Sequence, residues 1–124
     1  MRIFKTKEFV KFARKEQIAD ADLCTSVARA ERGLIDAQLG GGLIKQRIPR
    51  QGQGRSGGFR TIIAYRHRER SFFIYGFAKS EMDSVAGDEL RALIKLAAGL
   101  LPLTDELIGE AIDANEIREV FCDA

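Results

Sequence analysis

The chain has 124 residues, of which 45% are hydrophobic, and a formal net charge of +2 at pH 7. This length and apolar content predict one folded domain over residues 1–124 and exclude a disordered basic protein. No run of 18 uncharged apolar residues occurs, and the charged N-terminal segment has no apolar signal core, so we expect a cytoplasmic protein without a membrane span.

Two short helices, joined near residues 17–19, are predicted at the N-terminus. Thr6 and Asp20 are the expected capping residues, because a short polar side chain at a helix start can accept a hydrogen bond from the first turn. Apolar residues recur at helical spacing in both segments, at Phe9, Phe12 and Ala13 and then at Leu23, Val27, Ala30 and Leu34. The two segments therefore predict a helical hairpin.

A change of hydrophobic period from 3.6 to 2 follows the three glycines at 40–42, which end helical structure. Three strands are predicted after this point, at residues 43–48, 59–65 and 71–78. The glycine-rich segment 51–58 is expected to be a loop and the segment 66–70 a charged hairpin tip. Three consecutive strands with these connections predict an antiparallel meander.

The last third of the chain returns to helical spacing. Asp88 is the expected cap of one helix, which Gly99 and Pro102 end, and Thr104 begins a second helix. Residues 117–121 alternate between apolar and polar and predict a final edge strand. The whole pattern predicts an α+β fold with an N-terminal helical hairpin, an antiparallel sheet of three or four strands, and C-terminal helices.

Positive charge is concentrated in the middle of the chain. Residues 45–79 contain nine Lys or Arg and a single acid, Glu69, which gives a net charge of +8. Residues 80–124 contain three basic and eleven acidic residues. One interpretation is that these cations only keep a sheet soluble, but solubility requires mixed charge rather than one sign in one segment. The basic middle segment therefore favours contact with a polyanion.

Four of these cations are predicted to converge on one face of the meander: Lys45, Arg47, Arg60 and Lys79. The first two are two residues apart on one strand and therefore share a face. The other two lie at the start of the middle strand and the end of the third, which antiparallel pairing places side by side. Further cations, expected to contact RNA, are Arg50 and Arg55 in the glycine-rich loop and Arg66 at the hairpin tip.

The chain resembles the core of RelE/ParE-superfamily toxins of type II toxin–antitoxin systems at residues 57–81, GGFRTIIAYRHRERSFFIYGFAKSE. It is similar in particular to the HigB-like branch, in which one strand starts Gly-(Gly/Ser)-(Phe/Tyr)-Arg and the next ends (Ala/Gly)-Lys-x-Glu. The resemblance covers most of the chain, from the helical hairpin to the helix after the third strand. It depends on the order and spacing of these motifs rather than on any one of them.

The resemblance implies an mRNA endoribonuclease that acts on ribosome-bound transcripts and is silenced by a cognate antitoxin, which we expect to be a helix-turn-helix protein. It implies a reaction without metal or cofactor, in which the ribose 2′-OH attacks the adjacent phosphorus and leaves a cyclic phosphate and a 5′-OH. By position, Arg60 is the expected phosphate clamp, and Lys45, Arg47 and Lys79 are the other expected catalytic residues.

Such a reaction needs a base, an acid and cations beside the charge that develops at phosphorus. Neighbouring cations can lower the pKa of a lysine until its amine accepts a proton. Some RelE toxins have a tyrosine shortly after the last strand, where this chain has Ala86. Tyr65 or Tyr75 can substitute in RNA binding, unless both belong to the core. His67 is expected to be exposed and without a role, so the identity of the base stays open.

The two cysteines do not predict a metal site, because Cys24, Cys122 and one histidine are too few ligands for zinc. We expect Cys24 to be a small buried hydrophobe and Cys122 an incidental thiol. Glu81 is expected either to orient a nearby cation or to interact with a helix dipole. The segment GQGRSGG is not a P-loop, since no Lys-Ser/Thr follows it and a strand comes next.

Two other functions are compatible with this sequence. A ParE-like toxin would share the fold but bind gyrase, and DNA damage with intact mRNA would identify it. A non-catalytic RNA-binding module, or a degenerate toxin, would use the same cations and aromatic residues only for phosphate contacts and stacking. Binding of RNA without cleavage would identify that case.

Overall fold

A computed structural model describes residues 1–49, 58–79 and 84–123 of the chain. The elements in chain order are β1 (Arg2–Thr6), α1 (Lys7–Glu16), α2 (Asp20–Glu31), β2 (Ala37–Gly40), β3 (Leu43–Ile48), β4 (Phe59–Arg66), β5 (Arg70–Ala78), α3 (Gly87–Leu100), α4 (Asp105–Asp113) and β6 (Ile117–Val120). The strands form one sheet in the order β2-β3-β4-β5-β1-β6. The predicted α+β class is confirmed.

The N-terminal helical hairpin has one of its two predicted caps. The Thr6 hydroxyl accepts a hydrogen bond from the Phe9 N–H at 3.3 Å, which satisfies one of the free donors of the first turn of α1. At α2 the prediction of Asp20 as the cap is wrong, because the helix already includes it. The Asp22 carboxylate instead accepts the Ala19 N–H at 3.2 Å. Leu34 is also not helical, since α2 ends before it.

The predicted meander is present as β3, β4 and β5, but the sheet is larger than the three or four strands expected. In the described residues β1 and β2 are additional, and β6 is the predicted edge strand. Strand β1 pairs in parallel with β5, with Phe4 beside Phe72, and antiparallel with β6. Local pattern could not reveal β1, because its five residues include two charges and lead directly into the cap of α1.

The connection between β2 and β3 packs closely under α3. Gly41 and Gly42 have φ values of +60° and +83°, which favour glycine. A Cβ at Gly41 would lie 2.6 Å from Ile94, and one at Gly42 would lie 2.7 Å from Leu101. Two adjacent positions therefore lack the room for a side chain, and this contact holds the start of β3 against α3.

The sheet is covered by helices on both faces. On one face α1 and α2 pack over a cluster that includes Phe9, Leu23, Val27, Ile63 and Phe73. On the other face α3 and α4 pack over a cluster that includes Phe4, Ile62, Phe72, Leu93 and Ile108. Burial on both faces explains why β4 and β5 are nearly continuous in apolar character. None of the helices in the described ranges is long and apolar enough to span a bilayer.

The C-terminal helices differ in detail from their predicted ends. The expected Asp88 cap is wrong, since α3 begins one residue earlier and no side chain caps it. Gly99 lies inside α3, which ends at Leu100, just before Pro102. At α4 the prediction is confirmed, because the Thr104 hydroxyl accepts the Leu107 N–H at 3.2 Å.

The cysteines form a disulfide, so the predictions of a buried free Cys24 and an incidental Cys122 thiol are wrong. Their Cα atoms are 5.9 Å apart although 98 residues separate them in sequence. The bond joins α2 to the segment that follows β6. A pairing over this distance is produced by the sheet topology, which returns the last strand beside β1, and it has no local signal.

Candidate active site

The register of the sheet brings the predicted cations of β3 and β4 together. Arg47 lies directly opposite Arg60, and Lys45 lies opposite Ile62. Opposite residues and residues two apart share a face, so the three cations are on the face of the sheet that α3 and α4 cover. The Lys79 N–H donates to the Gly58 carbonyl at 3.1 Å, which extends the pairing of β5 past Arg60. All four predicted catalytic residues are thus neighbours.

Lys45 is half-buried and is held by the segment before α3. Its ammonium donates to the Ser84 hydroxyl at 3.3 Å. Because Ser84 is three residues before the start of α3, this contact ties the beginning of that helix to the cation cluster. The segment before α3 therefore borders the cluster at Lys45 of β3.

Arg47 is held at its backbone by an acid from the α2–β2 connection. Its N–H donates to the Asp36 carboxylate at 2.6 Å, and Arg29 donates to the same carboxylate at 3.1 Å. Burial alone would raise the pKa of Asp36, but these hydrogen bonds and the two positive charges lower the pKa below its usual value. The Arg47 Nε is buried and has no hydrogen-bond partner in the described part of the chain.

Arg60 is the cation best placed to bind a ligand. It is half-buried, and within the described ranges its guanidinium makes one long hydrogen bond, to the Phe59 carbonyl at 3.4 Å. No carboxylate in residues 1–49, 58–79 or 84–123 forms an ion pair with it. A guanidinium with free donors can bind a phosphate through two parallel hydrogen bonds.

Tyr75 is the tyrosine that lies with the cations. It is opposite Ile62, in the same cross-strand row as Lys45, and its ring centroid is 6.1 Å from that of Phe77. Burial, the negative charge of Glu89 and a hydrogen bond to that carboxylate raise the pKa of Tyr75. The hydroxyl is therefore held in its protonated form at neutral pH, and the half-buried ring can stack on a nucleobase.

Tyr65 and Arg66 lie elsewhere. The Tyr65 ring packs with the α1 and α2 cluster, on the opposite face of the sheet from Arg60. Arg66 is exposed and ends β4, opposite Arg70. Six residues separate it from Arg60, a distance of about 20 Å along a strand. The structure therefore separates these two predicted RNA-binding residues from the cation cluster.

A cluster around Glu31 anchors the β4–β5 hairpin tip. No local pattern indicates it, because Glu31 is 34 to 37 residues from its partners in the sequence. The Glu31 carboxylate accepts the Tyr65 hydroxyl and the Arg68 N–H, and lies 2.9 Å from the His67 Nδ1. Burial alone would raise the pKa of Glu31, but these partners outweigh it and lower the pKa. Burial and the same carboxylate raise the pKa of Tyr65. His67, although exposed, has a structural contact.

Other predicted residues lie outside the described ranges, namely Arg50, Arg55, Glu81 and most of the glycine-rich loop. Within the described ranges no group of three or more His, Cys, Asp or Glu is arranged to hold a metal ion.

Residues 1–120 match the family model of the RelE toxin of the RelE/RelB toxin–antitoxin system. The matched region runs from β1 to the end of β6 and so includes every element of the sheet and all four described cations. No curated protein matches the chain in sequence. The HigB-like branch within this superfamily stays a prediction.

Proposed function

The chain belongs to the RelE toxin family, and from that premise we propose that it is an mRNA endoribonuclease that inhibits translation. As a member of this family it is the toxin component of a toxin–antitoxin system. The observation that supports the nuclease is the meeting of Lys45, Arg47, Arg60 and Lys79 at adjoining ends of three strands. Such a cluster suits a reaction whose transition state carries added negative charge on a phosphate.

In the proposed reaction the ribose 2′-OH attacks the adjacent phosphorus, the bond to the 5′-oxygen breaks, and a cyclic phosphate and a 5′-OH result. Arg60 binds two non-bridging oxygens of the phosphate through its planar guanidinium. Lys45, which Ser84 holds in place, and Arg47, whose backbone Asp36 fixes, stabilise the charge on the same oxygens. Preorganised donors of this kind typically contribute about 10²- to 10³-fold each to the rate.

Tyr75 has the role of a stacking platform in this proposal. Its hydroxyl is engaged with Glu89, and its ring stands beside Phe77 at the edge of the cation cluster. Stacking of a base on an aromatic ring contributes about 1–3 kcal/mol to single-stranded RNA binding and tolerates any base. We propose that it orients the nucleotide next to the cleaved bond.

We further propose that the substrate is mRNA on the ribosome, that the protein acts in the cytoplasm, and that the antitoxin is a helix-turn-helix protein. Purified, antitoxin-free protein is added to translating ribosomes and to the same mRNA without ribosomes, and the 3′ ends are mapped. We expect codon-linked cuts with cyclic phosphate ends on the ribosome. An mRNA with a 2′-deoxy sugar at the cut site should resist cleavage there.

The two alternative functions give different results in the same assay. A complete absence of cuts, together with inhibition of gyrase supercoiling, would replace the nuclease with a gyrase-directed toxin. A complete absence of cuts with retained RNA binding would instead indicate a non-catalytic RNA-binding module.

A further inference from the structure

The disulfide lies where a molecule in solution can approach one of its two cysteines. Cys122 is exposed, in the segment that follows β6. Cys24 is half-buried on α2 and packs against the apolar cluster under α1 and α2. An incoming reagent therefore reaches Cys122 more easily than Cys24.

A depression of about 410 Å³ lies beside this bond. Both cysteines line it, together with Asp123 and with residues of the N-terminus, β1 and α2, namely Met1, Ile3, Thr25, Val27, Ala28 and Glu31. A volume of several hundred Å³ is typical of a site that holds a small molecule. A small thiol can therefore be accommodated next to the sulfur atoms.

The charged side chains that line this depression are both acidic, Glu31 and Asp123. Glu31 accepts the Arg68 N–H, and its partners lower its pKa, so it is ionised at neutral pH. The amino group of Met1, another lining residue, offsets at most one of the two negative charges. Because carboxylates attract cations and repel anions, a thiol with an ammonium group is favoured here over a thiol with a carboxylate.

Strand β6 has contacts of its own that do not involve the disulfide. It pairs with β1 at four positions, and the Glu119 carboxylate accepts hydrogen bonds from Arg2 at 2.9 and 2.8 Å. Residues 121–123 follow the strand without regular secondary structure, and Phe121 is 78% exposed. Opening of the disulfide therefore releases this short segment and leaves the sheet in place.

We propose that the Cys24–Cys122 disulfide is a reversible thiol–disulfide exchange site, entered at Cys122, that prefers a cationic aminothiol over an anionic thiol. The incoming thiolate attacks the Cys122 sulfur, the S–S bond breaks, and Cys24 leaves as a thiolate. A second thiolate attacks the sulfur of the first thiol in this mixed disulfide. Both cysteines are then reduced and two molecules of thiol are oxidised to one disulfide, which balances the two electrons transferred.

Reversible opening gives the protein two states that share one fold but differ in their resistance to unfolding. The closed chain keeps a covalent link between residues 98 apart in sequence, which the open chain lacks. The open chain therefore unfolds more readily. The supply of small thiols sets how much of the protein is in the resistant state. This site does not depend on the proposed ribonuclease activity.

The first test opens the disulfide of the full, folded chain without denaturant. Cysteamine and 3-mercaptopropionate are compared, and acid quenching with mass spectrometry follows the reduction. Each rate is divided by the rate of the same thiol with bis(2-hydroxyethyl) disulfide, a neutral reference that corrects for intrinsic nucleophilicity. We expect cysteamine to be at least about 3-fold faster after this correction, and we expect high salt to reduce the difference.

Matched acid variants locate the source of this preference. Asp123→Asn should remove most of the difference between the two thiols, because one of the two lining carboxylates is lost. Asp113→Asn, at an exposed acid of α4 outside the depression, should leave the difference unchanged. Circular dichroism checks that both variants are folded.

Two cysteine variants identify the sulfur that reacts. Cys24→Ser leaves Cys122 as a free thiol, and Cys122→Ser leaves Cys24. With cystamine, the disulfide of cysteamine, Cys122 should form its mixed disulfide at least about 10-fold faster than Cys24, because access limits the half-buried thiol. Circular dichroism at low temperature checks that each variant is folded.

Three outcomes would overturn the proposal. Opening of the bond only at urea concentrations that unfold the chain would show that thiols cannot reach it in the folded state. Faster reaction of Cys24 would show that exchange does not begin at Cys122. Equal corrected rates for cysteamine and 3-mercaptopropionate would show that the two acids do not select the thiol.

Discussion

Both ends of strands β4 and β5 carry cationic side chains, but their charges are used differently. At the hairpin tip Arg66 lies 4.0 Å from Glu69, and Arg70 donates to the Leu101 and Leu103 carbonyls that follow α3. At the opposite end the Arg60 guanidinium contacts the Phe59 carbonyl at 3.4 Å and forms no ion pair with any carboxylate of the described ranges. Composition is therefore a poor guide to which cations can bind a ligand. The interactions that a cation already makes within the fold decide whether it can bind a ligand.

The same contrast applies to stability. The hairpin tip is anchored by Glu31, and the disulfide lies on the same side of the molecule, since Cys24, Cys122 and Glu31 line one depression of about 410 Å³. A buried Nε without a hydrogen-bond partner in the described ranges occurs at both ends, in Arg47 and in Arg70, but at the cation end Arg60 also forms no ion pair in those ranges. We infer that the tip end of the sheet mainly stabilises the fold and that the cation end mainly serves function. Substitutions at the two ends should then separate stability from activity.

The largest expected effect is that of Arg60→Ala. It should abolish growth inhibition and lower RNA cleavage by at least about 100-fold, because a donor to the developing phosphate charge is lost. Arg60→Lys should stay poor, since an ammonium cannot make two parallel hydrogen bonds to phosphate. The melting temperature should change little. Arg68→Ala at the tip is the control and should do far less. If the Arg60→Ala protein is folded and fully toxic, the active site is not at this end of the sheet.

Removal of the disulfide should mainly affect stability. Cys24→Ser with Cys122→Ser should lower the free energy of unfolding by about 2–4 kcal/mol, because the unfolded chain loses a loop closure of 98 residues. Cleavage by the folded protein at low temperature should persist. Urea denaturation with and without reductant measures the contribution of the disulfide to the free energy of unfolding. Reductant should destabilise the natural chain and leave the stability of the double variant unchanged. Equal stability of both proteins under oxidising conditions would contradict the prediction.

The two tyrosines should respond in opposite ways. Tyr75→Leu should lower RNA affinity by about 10-fold through loss of a stacking ring, and Tyr75→Phe should retain it. Tyr65→Phe should leave affinity unchanged but lower the melting temperature, because Glu31 loses a hydrogen-bond donor. RNA binding by anisotropy and thermal unfolding of the same samples measure both effects. Loss of affinity in Tyr65→Phe would contradict the separation of the two ends.

The smallest expected effect is on the pH dependence of stability. The pKa of Glu31 is lowered in the folded chain, so its contribution is complete above the unfolded pKa of about 4.3 and is lost as the pH falls through the folded value. Glu31→Gln should therefore cost about 1 kcal/mol at pH 7 and progressively less at acidic pH. Urea titrations of both proteins between pH 7 and pH 3 measure the difference. A difference that grows toward acid would have the wrong sign.

Local sequence pattern was sufficient to predict the elements that depend on interactions between residues close together in the sequence. The bounds of β3 are as predicted, and the Thr6 and Thr104 caps are confirmed, because a cap and a period of 2 involve residues within a few positions of each other. The placement of Lys45, Arg47 and Arg60 on one face also followed from sequence, since residues two apart on a strand share a face, whereas the direct pairing of Arg47 with Arg60 is a finding of the structure.

The tertiary structure alone decided the contacts between distant segments. Strand β1 pairs in parallel with β5, and no pattern in its five residues predicts that partner. Cys24 meets Cys122, and Glu31 meets Tyr65 and Arg68, across 98 and 34 to 37 residues. Such pairs depend on how whole elements pack, and packing energy is collective rather than encoded in any short run of sequence. The sequence predicted which cations of β3 and β4 lie on one face, and the fold decided which of the described arginines form ion pairs.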